Sequence, residues 1–293
     1  MVKKVLRAVV YGIADIESFI LYVIQLAIFD TFRNYVKKKS HNKNLVVLVN
    51  GPSLKDDFPK IIEGREYLEN DLITVNFMVN DERFYIIKPL YHVISDYTLF
   101  HDSQGSEDKV NDFFDNINNN VDWNLTIFIT YSLWKDKTWI KRFQNKNITL
   151  VPFHSIETPD NLRVSYWLSK LGWLGANYGS VLHHAIYLGI QSGYRKIYLY
   201  GADHTFFDGL CVDDENRVCR KVTHFYDQST EVKPICHIYT GEKKPYKMSY
   251  FMMEYKRVFM GHDILRYIAD KKNVKIINKT PVSLIDSYER KEY

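Results

Sequence analysis

The sequence predicts an α/β protein with a Rossmann-like, mostly parallel sheet, helices on both faces of that sheet, and an amphipathic helix at the N-terminus. Short apolar, β-branched segments alternate with segments of helical periodicity, and polar residues follow directly after several of the apolar segments. Hydrophobic residues make up 46% of the 293 residues and charged residues 25%, a globular composition that excludes disordered, collagen-like and coiled-coil chains.

Seven apolar segments are typical of strands buried on both faces of a parallel sheet. They cover residues 45–49, 72–76, 91–96, 125–129, 148–151, 196–200 and 274–277. Helical patterns occur between them at 108–116, 133–143, 180–192 and 250–271. We expect the ligand site at the carboxyl ends of the strands, where open parallel sheets bind their ligands. The polar stretch 204–247 is predicted to form a long active-site loop.

The net charge of +4 belongs to one end of the chain. Residues 1–40 contain seven basic and three acidic residues, whereas the remaining residues balance at 32 of each sign. A domain that binds nucleic acid is expected to be basic over its own fold, so the neutral body argues against a nucleic-acid partner.

The N-terminal segment has apolar residues at helical spacing, and its longest run without charge, Ser18–Phe29, is twelve residues. A membrane-spanning helix needs about 20. Lysines 37–39 follow where a signal peptide would have a cleavage site. We predict that residues 1–41 form a basic helix lying in a membrane interface, and that 42–293 form the Rossmann-like domain. A helix packed on the protein body or on a partner chain is the alternative.

The cysteines do not form a recognisable framework. Their number is odd and no C-x-x-C pair occurs, which argues against disulfides and zinc and favours a reducing cytosol. They are Cys211, Cys219 and Cys236. Three histidines, His204, His224 and His237, lie among them, so a metal site there is the alternative to our expectation of none.

The first predicted strand ends in Asn50-Gly51-Pro52-Ser53. Gly51 permits a tight turn with close backbone approach to a ligand, and Pro52 fixes that turn. Ser53 can cap the following segment, and Asn50 is placed to point into the cleft. The motif is neither G-x-G-x-x-G nor a P-loop, and a plain strand-terminating turn is the alternative reading.

Polar residues also follow other strands. Asn76 ends the second strand and Asp96 the third, which together with Asn50 suggests a site for a nucleotide base and ribose. Asn177, Gly179 and Ser180 precede a helix whose free N–H groups and dipole favour a phosphate. An ordinary N-cap is the alternative for that segment.

Two further residues are candidates for catalysis. Asp203 follows the strand at 196–200, where it could orient a histidine or bind a sugar hydroxyl. His224 lies in the polar stretch and has the ordinary pKa range of a general base toward a hydroxyl. The remaining histidines that we considered are predicted to be ordinary surface residues: His154, His183, His184 and His262.

These motifs together resemble bacterial sialyltransferases of glycosyltransferase family 42 and the wider MptE-like domain of motility accessory factor glycosyltransferases. The resemblance rests on Asn-Gly-Pro-Ser-Leu after the first strand, Asn at the second strand end, the Gly-Ser helix start and Lys-Ile-Tyr-Leu-Tyr-Gly-Ala-Asp. The closing Val-Lys-Ile-Ile-Asn-Lys-Thr-Pro-Val is also similar, so the resemblance covers roughly residues 44–288.

The resemblance implies a Rossmann-like enzyme that uses CMP-activated nonulosonic acids without an essential metal. It implies that Asn50 and Asn76 lie near the donor nucleotide and that Ser180, with Gly179, holds the cytidine or phosphate. It also implies that His224 is the general base. Two tyrosines of the sialyltransferases serve the departing phosphate, but here the matching stretch reads His-Thr-Phe-Phe at 204–207. Either Tyr226 or Tyr239 substitutes for them, or the donor differs from that of the sialyltransferases.

The expected protein is therefore a peripheral glycosyltransferase on the cytoplasmic face of an inner membrane. It would move sialic acid, Kdo or a related sugar from a CMP-donor to a lipid-linked or surface glycan, such as lipooligosaccharide or capsule. It would need no cofactor beyond the nucleotide-sugar co-substrate, and a homo-oligomer stays open. The alternatives are a pterin-type diphosphokinase using ATP and Mg²⁺, with Asp96, Asp203 and Asp227 as candidate ligands, and a non-catalytic scaffold in polysaccharide assembly.

Overall fold

The structure, a computed structural model, describes residues 2–95, 107–223, 230–236 and 244–290. The strands are β1 Leu45–Leu48, β2 Asp71–Val75, β3 Tyr91–Ile94, β4 Leu125–Thr130, β5 Ile148–Phe153, β6 Lys196–Tyr200, β7 Leu210–Val212, β8 Val218–Thr223, β9 Thr230–Pro234 and β10 Lys275–Asn278. The helices are α1 Val2–Phe29, α2 Leu54–Glu63, α3 Glu66–Glu69, α4 Glu82–Ile87, α5 Glu107–Asn120, α6 Tyr131–Lys135, α7 Lys137–Ile140, α8 Leu162–Leu171, α9 Val181–Ser192 and α10 Met248–Lys271. A short 3₁₀ helix, Asn76–Asn80, follows β2.

Seven strands form one parallel sheet in the order β10-β6-β1-β2-β3-β4-β5. This confirms the predicted α/β fold, and each predicted strand is present within a few residues of its predicted bounds. The chain moves outward from β1 to β5 and then returns to the other side of β1 to form β6. Such a reversal opens a crevice at the carboxyl ends of the strands.

The sheet is covered by an apolar layer on each face, as the predicted fold requires. Val46 and Leu48 of β1 pack among side chains of α2, α4 and α5. Leu45 and Val47 point to the opposite face and pack among side chains of α8, α9 and α10. The continuous apolar run of β1 is therefore explained by burial on both sides.

The stretch 204–247, predicted to be a loop, contains a small antiparallel sheet with the strand order β7-β8-β9. A tight turn joins β7 to β8, with Asn216 at φ +58° and the Asp213 carboxylate accepting from the Arg217 amide at 2.8 Å. Asn and Asp favour such turns because their side chains bond to nearby backbone groups. These short strands carry too many polar residues to be found by apolar periodicity.

The predicted helix at 133–143 is divided into α6 and α7. Asp136 lies between them with extended backbone, and its carboxylate accepts a hydrogen bond from the Thr138 amide. An aspartate at this position caps a new helix more readily than it continues an old one, because its side chain competes for backbone N–H groups.

One stripe of α1 is fixed to the protein body. Tyr22 and Leu26 are almost completely buried. The Tyr22 hydroxyl donates to the Trp173 carbonyl oxygen at 2.7 Å and accepts from the Gly175 amide at 2.8 Å. The stripe of α1 that carries Tyr22 and Leu26 therefore packs on the protein body, which was the alternative stated for this segment.

Two carboxylates extend the contact of α1 with the body. Asp15 accepts from the Asn161 side-chain amide at 2.6 Å and lies 3.4 Å from an Arg163 guanidinium nitrogen. Asp30, just beyond the helix, pairs with Nδ1 of His154 at 2.9 Å. Asp15 therefore faces the body, whereas Glu17 is exposed among the apolar side chains of the outward side of α1.

The outward side of α1 is strongly apolar and exposed. Residues 9–29 are long and apolar enough to cross a membrane by length and composition. About half or more of each of the following side chains is exposed: Val9, Val10, Ile13, Ile16, Ile20, Leu21, Ile24, Ile28 and Phe29. Exposed apolar surface on this scale is typical of proteins that contact a membrane or a partner.

Candidate functional site

A cavity of about 480 Å³ lies at the carboxyl ends of β2, β3, β4 and β5, beside the N-terminus of α9. Most of its wall consists of hydroxyl and amide side chains. The lining residues are Asn76, Ser95, Thr130, Ser132, Ser155, Asn177, Gly179, Ser180, Val181, His184 and Phe206. The cavity lies at the carboxyl edge of the sheet, where open α/β sheets bind ligands, but beside the β1–β6 reversal rather than at it. Its size is that of a small-molecule site.

Asn76 is the first residue after β2 and lines this cavity. Its backbone has φ +48°, a left-handed conformation that asparagine tolerates better than most residues. Its Oδ1 atom is buried and has no hydrogen-bond partner. Asn50 is held close by, because its side-chain amide donates to the Val75 carbonyl oxygen at 3.4 Å. The structure therefore brings the two predicted asparagines together at one strand edge.

The N-terminus of α9 forms another wall of the cavity. Ser180 caps the helix, with its hydroxyl accepting from the Leu182 amide at 3.3 Å. Gly179 has φ +88°, which turns the chain into the helix. The Asn177 side chain donates to the Ser155 carbonyl oxygen at 2.9 Å and so ties this turn to the segment after β5. Ser180 is thus the N-cap that was given as the alternative for this segment, and it also lines the cavity, whereas its role toward a ligand stays a prediction.

Four hydroxyl residues of the cavity were not among the residues that the sequence singled out. Ser95 follows β3, Thr130 ends β4 with Ser132 just beyond it, and Ser155 follows β5. The Thr130 and Ser132 hydroxyls lie 3.0 Å apart. The signal was a polar residue at a strand end, which identified Asn50, Asn76 and Asp96 but was not applied to β4 and β5. Ser95 was missed because the third strand was predicted to extend to residue 96, whereas β3 ends at Ile94.

The prediction that His184 is an ordinary surface histidine is wrong, because its ring is buried, as are the rings of the other three histidines in that group. His184 also lines the cavity. Its Nδ1 lies 3.0 Å from the Gly175 carbonyl oxygen. Because a carbonyl oxygen only accepts, Nδ1 carries the proton and Nε2 is the nitrogen with the free lone pair. Burial lowers the pKa of His184 to about 4, so the ring is neutral at neutral pH.

Asp203 lies behind the turn that follows β1. Ser53 donates to both of its carboxylate oxygens, from the hydroxyl at 2.8 Å and from the amide at 3.1 Å. A Cβ atom on Gly51 would overlap Asp203 and the Gly201 carbonyl oxygen. The close backbone approach that Gly51 permits is therefore to the end of β6. Pro52 is exposed at the outer side of this turn.

Several predicted site residues fall outside the described part of the chain, and their assignments stay predictions. They are Asp96, His224 and Tyr226, together with Asp227, His237 and Tyr239. The three cysteines are free thiols. Within the described ranges, no group of three or more His, Cys, Asp or Glu residues is placed to hold a metal ion.

The segment 204–207, where the resemblance led us to look for phosphate-binding tyrosines, places one phenylalanine on the cavity and one away from it. Phe206 lines the cavity. Phe207 packs on α10, where its ring lies parallel to Phe259 at 6.3 Å and edge-on to Phe251 at 5.9 Å. Phe206 can contact a ligand but cannot donate a hydrogen bond to a phosphate.

Comparison with known proteins identifies no family for this chain. No protein-family model matches the chain, and no curated protein matches it. Among solved structures, the chain is similar to a MAf glycosyltransferase from Magnetospirillum magneticum AMB-1, with a TM-score of 0.46 and 11% sequence identity. The similarity covers 88% of this chain and 35% of that one, so this chain spans about a third of that protein. A likeness of this degree carries no information about chemistry.

Proposed function

We propose that the protein is a glycosyltransferase that binds a nucleotide-activated sugar in the cavity at the carboxyl ends of β2–β5. The observation that carries this proposal is the lining of that cavity. Asparagine amides and serine and threonine hydroxyls surround it, and the N-terminus of a twelve-residue helix opens onto it. Sugar hydroxyls need many hydrogen bonds, and a phosphate is favoured at a helix N-terminus.

The donor phosphate would be held by neutral groups. None of the described residues that line the cavity is Lys, Arg, Asp or Glu. The Ser180 hydroxyl and the amide of Val181, the first residue of α9, offer donors at the positive end of the helix dipole. Such fixed donors can stabilise the negative charge that develops on a departing nucleotide phosphate.

Asn76 complements these donors with a hydrogen-bond acceptor, its side-chain oxygen Oδ1. A buried oxygen without a partner costs roughly 1–3 kcal/mol, so its retention favours a role with a ligand. A nucleobase amino group or a sugar hydroxyl could donate to this oxygen. The resemblance to CMP-dependent sialyltransferases makes cytidine the nucleoside that we propose.

The transfer step needs one proton acceptor. The acceptor hydroxyl oxygen attacks the anomeric carbon, the bond from that carbon to the phosphate oxygen breaks, CMP leaves, and a base takes the hydroxyl proton. With its pKa near 4, His184 is a weak base at neutral pH. We therefore keep His224 as the general base and assign Nε2 of His184 to accept a hydrogen bond that positions a substrate hydroxyl.

The exposed apolar side of α1 supports an acceptor held at a membrane. Lysines 37–39 are exposed and follow the helix, so apolar and cationic groups occur together as an interfacial helix requires. The contacts of Asp15, Tyr22 and Leu26 with the body favour a helix that lies on the membrane over one that spans it. We propose a lipid-linked or surface glycan acceptor at the cytoplasmic face of the inner membrane.

The test begins with binding. Calorimetric titration of the full chain with CMP, UDP and ATP–Mg²⁺ is expected to show binding of CMP in preference to the others. CMP-sialic acid and CMP-Kdo are then assayed for CMP release with glycan acceptors. Asn76→Ala is expected to weaken CMP binding at least tenfold, whereas Asn120→Ala, on the exposed end of α5, leaves it unchanged.

Variants of the two histidines separate their roles. His224→Ala is expected to abolish transfer and retain CMP binding, and His184→Gln to raise KM more than it lowers kcat. Preferential binding of ATP–Mg²⁺ would favour the diphosphokinase alternative, and absence of nucleotide binding the scaffold. Full transfer by His224→Ala would remove the general-base assignment.

A further inference from the structure

A second cavity, of about 590 Å³, lies at the other end of the sheet, near the amino ends of β6 and β10. The segment that follows α1 and the C-terminal ends of α8, α9 and α10 surround it. Its described lining contains five basic side chains and no carboxylate. The basic residues are Lys38, Lys170, Arg195, Lys271 and Lys272.

Two of the five basic residues have an ordinary structural explanation. Lys170 and Lys271 occupy the last turns of α8 and α10, where a cation complements the helix dipole. Their ammonium groups lie over the rings of Tyr166, at 5.9 Å, and Tyr267, at 5.5 Å.

The other three come from three separate segments and converge without a counter-ion. Lys38 belongs to the linker after α1, Arg195 precedes β6, and Lys272 follows α10. Among the described residues, none of these three side chains forms an ion pair. The pKa of Lys272 is lowered to about 8, by burial and by the nearby charge of Lys38. Like charges that are brought together in a partly buried cavity destabilise each other unless an anion is present.

The carbonyl oxygens at the C-terminal ends of the surrounding helices carry only partial negative charge, and they already accept hydrogen bonds. The Ser169 carbonyl oxygen of α8 accepts from the Lys272 ammonium at 3.2 Å, and the Ser192 carbonyl oxygen of α9 accepts from the Lys39 amide at 2.8 Å. These C-terminal carbonyl groups are therefore occupied by donors, which reduces their repulsion of a negative ligand.

We propose that this cavity binds a phosphate-bearing ligand, a phosphomonoester or phosphodiester contacted by Lys38, Arg195 and Lys272. Guanidinium and ammonium groups are the side chains that bind phosphate most strongly, and the volume exceeds that of phosphate alone. A glycerophosphate-sized group fits such a space. This proposal does not rest on the proposed glycosyltransferase function.

The phosphate group can come from a soluble metabolite or from a lipid head group. The surroundings of the cavity connect it with the apolar side of α1. Trp167 and Leu171 are exposed one turn apart on α8, and the Trp167 ring lies 6.5 Å from that of Phe19 on α1. Lys38 lies within the exposed run of lysines 37–39 that follows α1.

The test measures binding to the full chain and compares the two sources. Inorganic phosphate and glycerol 3-phosphate are titrated at constant ionic strength, with thermal stability and calorimetry as readouts. Sedimentation is measured with vesicles of phosphatidylglycerol and of phosphatidylcholine. We expect at least a tenfold loss of affinity in the double variant Arg195→Gln, Lys272→Gln. The matched control Lys141→Gln, Lys146→Gln removes the same charge from exposed positions far from the cavity and should bind as the wild type does.

A single variant at an exposed position, Lys38→Gln, keeps the test valid if the double variant fails to fold. A response to soluble phosphates that depends on these residues identifies a metabolite site, and a response confined to phosphatidylglycerol vesicles identifies a head-group site. Either result supports the proposal. Equal binding by the cavity variants and the control, or no binding to any probe, overturns it. CMP binding at the opposite end of the sheet should be unchanged in every variant, which separates this test from that of the proposed function.

Discussion

The Ser53 hydroxyl donates a hydrogen bond to Oδ2 of Asp203 at 2.8 Å, joining the turn after β1 to the end of β6. β1 and β6 are the neighbouring strands between which the order of strand addition reverses. Asp203 is only 6% exposed, and both of its oxygens accept from Ser53. Two motifs that the sequence marks separately as site signals, Asn-Gly-Pro-Ser and Gly-Ala-Asp, thus form one buried contact.

This contact predicts a stability role for Asp203. Asp203→Ala is expected to lower the free energy of unfolding by about 2–3 kcal/mol, because charge-assisted hydrogen bonds are lost and the Ser53 amide is left unpaired. Asp203→Asn, which keeps one acceptor oxygen, should have a smaller effect. Urea denaturation of the two variants tests this, and unchanged stability together with lost transferase activity would instead support a catalytic Asp203.

Gly51 is expected to tolerate no side chain. In Gly51→Ala the new methyl group would overlap the Gly201 carbonyl oxygen and Asp203, so the turn must move away from β6. We expect a loss of several kcal/mol, as for other overpacked positions, or failure to fold. Gly12→Ala is the matched control, since nothing lies within 4 Å of its Cβ position on α1. That change should be neutral or stabilising by about 0.5–1 kcal/mol. Similar melting temperatures for the two variants would contradict the overlap.

The strands of the large sheet could be predicted because their apolar residues are contiguous and buried on both faces. β1 is the clearest example, with all four residues buried. The antiparallel strands β7–β9 could not be found in this way, because they lie outside the main core and are held by turn chemistry at Asp213 and Asn216. A pattern of apolar residues reports burial, so it misses strands that bury little.

The candidate site was predictable where a polar residue directly follows a strand, as Asn76 does. His184 was not, because its position inside the buried helix α9 gives it the same sequence context as His183. Only the structure shows that one ring faces the cavity, while the other donates from Nε2 to the Val258 carbonyl oxygen at 3.0 Å. A one-dimensional pattern does not distinguish two neighbouring buried residues that point in different directions.

Stability is expected to fall as the pH is lowered, because buried histidines stay neutral in the folded state. Burial lowers the pKa of His184 and His204 to about 4 and of His92 to about 3, against about 6.5 in the unfolded chain. Between about pH 6.5 and 4 the unfolded state binds more protons, so stability declines through that window as the pH falls.

The contribution of a single histidine to this loss of stability can be measured with one variant. Each such histidine contributes a loss of about 1 kcal/mol between pH 7 and 5.5. His184→Gln should reduce the pH dependence of the free energy of unfolding by that amount, measured by urea denaturation at the two pH values. An identical pH dependence in the variant and the wild type would show that the His184 ring titrates in its ordinary range.

The outward side of α1 is expected to bind lipid. Ile16 and Ile20 are more than half exposed, so replacing both by Lys should leave the fold intact and disrupt insertion of the apolar face. The control Leu68→Lys, Ile86→Lys makes the same chemical change at equally exposed positions on α3 and α4. Co-sedimentation with phosphatidylglycerol vesicles should fall at least tenfold in the α1 variant and stay unchanged in the control. Unchanged sedimentation of the α1 variant, with a shift from a larger assembly to a monomer in gel filtration, would assign this face to a second copy of the chain instead.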